Sequence, residues 1–95
     1  MIIKEEIIEK AKTDLTEIIK QHLLAVGGEE EIDVTLEYID PEDYRVTTEH
    51  IKKVYVDEDG EVNVECDDDW ANIENFTLDE IVKIIDALND EAATK

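Results

Sequence analysis

The chain has 95 residues, 42% of them hydrophobic, which suits one domain with a modest core. Asp and Glu number 28 against nine Lys and Arg, a formal net charge of −19. That charge disfavours direct binding to nucleic acid or to an anionic membrane, and no apolar run reaches the ~18 residues of a membrane span.

The lone cysteine, Cys66, excludes an internal disulfide framework and fits a reducing cytoplasm. The opening MIIKEEIIEK lacks the basic-then-apolar build of a secretory signal. High net charge with few aromatics can mark disorder, but the apolar residues here are strongly periodic, which points to a folded domain. The charge is also uneven. Residues 1–26 carry five acids and four lysines, a net of −1, whereas the remainder has 23 acids and five basic residues, a net of −18.

In chain order, the first segment predicts a helix from about Ile3 to Val26. Ile3, Ile7, Ala11, Leu15, Ile18, Ile19 and Leu23 recur at helical spacing as one apolar stripe, widened by Ile8 and Leu24. Gly27 or Gly28 closes it. EIDVTLEYID then alternates: Ile32, Val34, Leu36 and Tyr38 face one way, Asp33, Thr35 and Glu37 the other, as in a half-buried strand. DPED, with the only proline, Pro41, marks a turn. Arg45 to Val56 is β-leaning, and its second part, Ile51 to Val56, reads as a strand. Asp59-Gly60 is a hairpin signal, because Gly supplies the positive φ that a tight turn needs. It brings Val54 and Val56 onto a shared core face with Val62, Val64 and Cys66. FTLDEIVKIIDAL predicts a final helix. Thr77 and Glu80 form a capping box, Phe76 and Ile81 a hydrophobic staple, and Leu78, Ile81, Val82, Ile85 and Leu88 a stripe with Ile84 beside it. The expected fold is therefore α+β: a single small domain over residues 1–90 in the order α-β-β-β-α, a three-stranded antiparallel meander packed against two helices. Residues 91–95 read as a frayed tail.

The chemistry narrows by exclusion. There is no serine, so no Ser nucleophile. Cys66 falls on an apolar strand face with no basic group or helix start to activate it, and reads as a packed thiol. His22 lies at the edge of the first stripe and His50 beside Glu49. Neither sits in a zinc-ligand spacing. VGGEEE lacks the Lys and the glycines of a phosphate loop. No motif positions a carboxylate pair, so no enzyme activity and no cofactor are expected. An EF-hand placed on Gly60 fails, because Tyr55 and Cys66 stand where its terminal ligands belong. ECDDDW offers Glu65, Asp67, Asp68 and Asp69 to a hard cation such as calcium, but carboxylate number alone fixes no coordination geometry, and an acidic loop without a metal is the reading adopted.

What remains is a small, acidic, non-enzymatic protein-binding module that acts through its surface, as a monomer or weak homodimer. Its expected partner is a protein, in one version a protein with a basic nucleic-acid-binding groove that this chain occupies as a mimic. Duplex DNA carries about one charge per ~1.7 Å, so −18 corresponds to roughly 30 Å of duplex. The expected partner-binding residues are Asp57, Glu58, Asp59, Glu61, Asp67, Asp68, Asp69 and Trp70. A hard-cation protein is the third reading.

Overall fold

The computed structural model describes residues 2–39 and 44–94, with side chains for all of these except 38, 39 and 91–94. The DPED turn with Pro41, and the side chain of Tyr38, lie outside the described residues. The elements run α1 (Lys4–Ala25), β1 (Glu29–Ile39), β2 (Val46–Val56), β3 (Val62–Cys66), β4 (Trp70–Asn72), a 3-10 turn (Ile73–Asn75) and α2 (Leu78–Thr94). The fold is α+β, with one antiparallel sheet in the order β1-β2-β3-β4.

The sheet has four strands rather than the expected three. The acidic run after β3 is itself a hairpin turn: the Cys66 amide donates to the Asp69 carbonyl at 2.8 Å, so the chain reverses over Asp67 and Asp68. Trp70–Asn72 then pairs back on β3. Three residues are too few to show alternation, and so the strand has no periodic signal.

Local chemistry sets the element ends. Gly27 takes φ 106°, and the Gly28 amide donates to the Leu23 carbonyl at 2.7 Å, a Schellman closure of α1. The β2–β3 hairpin turns over Glu58, Asp59 and Gly60. The Gly60 amide donates to the Asp57 carbonyl, and Gly60 sits at φ 81°. At α2 the capping box is present in both directions: the Thr77 amide donates to Glu80 Oε1 at 2.8 Å and the Glu80 amide to Thr77 Oγ1 at 3.3 Å.

The core lies between the sheet and both helices. It contains Ile19 and Leu23 of α1, Ile32 and Leu36 of β1, Ile51 and Val54 of β2, Val62, Val64 and Cys66 of β3, and Ile73, Ile81, Ile84 and Leu88. Ile51 and Val54 are three residues apart, yet both are buried. A bulge explains this: the β2–β3 register shifts between Ile51 and Lys53, which leaves Lys52 as the extra residue. Two stripes need correction. α2 buries Ile81, Ile84 and Leu88, while Val82 is 42% exposed. α1 buries Ile19 and Leu23, with Leu15 packed against them, while Ile3, Ile7 and Ile18 are exposed. The single stripe of α1 is thus two faces, separated by about one residue's rotation of ~100°.

Replacing Ile19 or Ile84 by Ala should each cost about 2–5 kcal/mol, through lost transfer energy and a residual cavity. Ile18→Ala, one position away, should stay within about 0.5 kcal/mol. Urea unfolding of the three variants measures this, and a core-sized loss at Ile18 would contradict the assigned helix face.

Candidate functional site

With both helices on one side, the other sheet face has no covering layer among the described residues. Its side chains follow from register. Lys53 of β2 stands opposite Glu31 of β1 and Glu65 of β3, and Glu65 stands opposite Trp70 of β4. The Lys53 ammonium lies 3.0 Å from Glu29 and 4.0 Å from Glu65, and 5.7 Å from the Tyr55 ring centre. The hydrogen bond that Lys53 donates to Glu29, and then the Glu29 charge, raise the Lys53 pKa. Three residues earlier in β2, His50 is held from both sides: Nδ1 is 2.9 Å from Asp67 Oδ1 and Nε2 is 2.6 Å from Asp33 Oδ1. The hydrogen bond to Asp67, then that to Asp33, raises His50 above its ordinary value of 6.5. The face therefore has Lys53 and His50 along its second strand and carboxylates at either side. Trp70 stands at its rim, 63% exposed.

The sequence-predicted residues divide into two groups at opposite ends of β3. Glu58, Asp59 and Glu61 are exposed at the β2–β3 turn, and Asp67, Asp68, Asp69 and Trp70 are exposed at and beyond the β3–β4 turn. Five residues of strand, roughly 17 Å, separate the two turns. Asp57 is different. Its Oδ1 accepts from the Asp59 and Glu61 amides at 2.9 and 3.0 Å, and its Oδ2 accepts from Asn63 Nδ2 at 2.6 Å. The Glu61 amide, with help from Asn63 and the Asp59 amide, holds its pKa below the usual carboxylate range. Asp57 shapes the hairpin and has little left to offer a partner.

The carboxylates of ECDDDW do not converge. Glu65 and Asp67 turn to the open face, toward Lys53 and His50. Asp69 turns the other way, where it groups with Glu49 and Cys66, with one donor atom from each within 4.8 Å of the others. Burial, followed by the hydrogen bond to Glu49, pushes the Cys66 thiol up to about 12. The thiol is therefore protonated at neutral pH, as a packed cysteine rather than a nucleophile or thiolate ligand. Sequence reasoning missed both histidine pairings. Asp33 and Asp67 each lie 17 residues from His50, and His22 Nε2 meets the buried Glu30 at 2.7 Å across the α1–β1 junction. The His50 pairings depend on strand register, and the His22 pairing on how α1 packs against β1.

Comparison with known protein families, with curated proteins and with solved structures yields no match. Among the described residues, no helix is long and apolar enough to cross a membrane.

A raised folded-state pKa at His50 means that the folded state holds this proton more tightly than the unfolded chain. Its contribution is complete below about pH 6.5 and disappears as pH rises through the folded value. The melting temperature should fall between mildly acidic and mildly alkaline pH, and His50→Gln should flatten that slope. Equal slopes in calorimetric scans of the two proteins would show that the Asp33–His50–Asp67 bridge contributes nothing.

Proposed function

We propose that this protein is a non-enzymatic binding module that engages a basic protein surface through its open sheet face. The observation that carries this reading is Trp70, 63% exposed beside Glu65 and beyond the Asp67–Asp69 turn. Aromatic anchors desolvate well and dominate interfaces, and here the anchor stands in an acidic frame. The carboxylates supply steering toward a positive partner. Glu58, Asp59 and Glu61 lie at the other end of β3, where Gly60 and Glu61 border α1, and stand apart from this frame. Asp57 serves the turn and is not part of the contact set.

The narrower version, a nucleic-acid mimic, draws on charge density. The molecule measures 39 × 35 × 27 Å, of the same order as the roughly 30 Å of duplex that its charge would match. Two features weigh against a phosphate-like array. Lys53 and His50 interrupt the carboxylates on the open face, and Asp79, Asp86 and Asp90 of α2 are exposed on the helix layer. The cation-binding reading has less support, because the ECDDDW carboxylates diverge.

Affinity capture from host extract tests the module reading with three proteins: wild type, a face variant and a charge control. The face variant combines Trp70→Ala with Asp67→Asn and Asp68→Asn. The control carries Asp79→Asn and Asp86→Asn, which removes equal charge from α2. A specific basic protein should be retained by wild type and control, lost by the face variant, and released by salt. Competition by duplex DNA would favour the mimic version. Equal loss in control and face variant would mean that capture follows net charge alone, and the reading would fail.

A further inference from the structure

From the outer face of α1 we infer that the protein self-associates as an antiparallel α1–α1 dimer. Ile8, Leu15, Ile19 and Leu23 turn α1 toward the sheet and α2, and all are buried or half-buried. Rotated by about 100° from that face runs a second apolar line: Ile3, Ile7, Ala11, Ile18 and Ala25. Ile7 and Ile18 are 56% and 59% exposed. They lie eleven residues apart, which is three turns and only about 20° of rotation. Of the other large exposed apolar residues, Ile2, Ile3, Leu24 and Val26 lie on this helix or its ends, while Tyr44, Val46, Trp70 and Val82 are scattered over other elements. An apolar line of this length on an otherwise acidic molecule calls for a cover.

Charge selects a second copy as that cover. Residues 1–26 carry a net −1 and the rest of the chain −18. Two copies of a −19 chain therefore repel least when they meet along α1. Direction follows from the same residues. A parallel pair sets Lys10 on Lys10 and Asp14 on Asp14. An antiparallel pair sets Ile7 of one copy on Ile18 of the other, at both ends of the seam. It also brings Lys10, which shares a flank with Asp14 and Glu17, beside those two acids of the second copy. The small Ala11 lies near the two-fold axis, where the helices approach most closely. Asp14, which interrupts the apolar line within one copy, thereby gains a cation. The seam lies on the helix layer and leaves the open sheet face free.

A single helix pair sits at or below the ~1,200 Å² lower end of specific interfaces, so the dimer is a micromolar or weaker one. Salt should strengthen it, because screening reduces repulsion between the two acidic bodies. The Debye length falls from ~30 Å at 0.01 M to ~8 Å at 0.15 M. A salt-weakened complex with a basic partner behaves oppositely.

Sedimentation equilibrium of the full chain, from micromolar to near-millimolar protein at these two salt levels, is the test. The expected result is a monomer–dimer equilibrium that shifts toward dimer as salt rises. Ile18→Glu should weaken it by more than about tenfold while circular dichroism and melting temperature stay near wild type, since Ile18 is exposed. Register is read by oxidative cross-linking: Ile7→Cys and Ile18→Cys proteins should cross-link when mixed, and Ile7→Cys alone should not. A chain that stays monomeric throughout would overturn the proposal and leave the line to a different occupant. So would a dimer unaffected by Ile18→Glu, or one that cross-links through Ile7→Cys alone.

Discussion

A chain with a net charge of −19 and a radius of gyration of 13.9 Å must hold its carboxylates close together. The attraction that opposes this repulsion comes from one apolar layer between a four-stranded sheet and two helices. Burial of apolar surface is worth about 25 cal/mol per Å², so the layer must stay almost free of charge. Among the described residues it does, with two exceptions at its margins. Glu30 is 6% exposed and meets His22 of α1, and Glu49 lies beside the Cys66 thiol. Bulges in β1 and β2 serve the same constraint. The extra residue at Lys52 keeps an ammonium outside while Ile51 and Val54 both enter the core.

The repulsion that remains is handled on the uncovered face, and there by position rather than strength. Exposed ion pairs are individually worth little. Lys53 and His50, however, stand on the strand between two acidic neighbours, so that each donor separates carboxylates that would otherwise face one another across β1 and β3. The arrangement leaves the face net negative, with Trp70 exposed at its rim. The same constraint shapes both faces: the helices cover one side of the sheet and, among the described residues, leave the other uncovered. α1, the near-neutral element, bears apolar residues on two faces.

Much of the fold was legible because it depends on local chemistry. The end of α1 at Gly27, the hairpin at Gly60, the Thr77–Glu80 box and the inward valines of β3 all follow from residues within a few positions of one another. What escaped depends on contacts between distant segments. β4 owes its pairing to β3 and has three residues. Ile18 and Ile19 look alike in an apolar run, and only the direction in which α1 lies on the sheet decides which is buried. The acids of the hairpin and ECDDDW were visible as a group. Their division was not, because Asp57 turns to its own loop, Asp67 to His50 and Asp69 to Glu49. Trp70 was visible as the only tryptophan, and its place at the rim of an open face required the fourth strand.

The central claim is that the uncovered sheet face, and not net charge spread over the molecule, is where a basic partner is met. A backbone and indole NMR titration with a short lysine- and arginine-rich peptide addresses it directly. The account predicts shifts that saturate and cluster at Trp70, Glu65, Asp67, Asp68 and the adjoining residues of β2, with little change along α2. Shifts of equal size at Asp79, Asp86 and Asp90, or a Trp70 indole that does not respond, would contradict it.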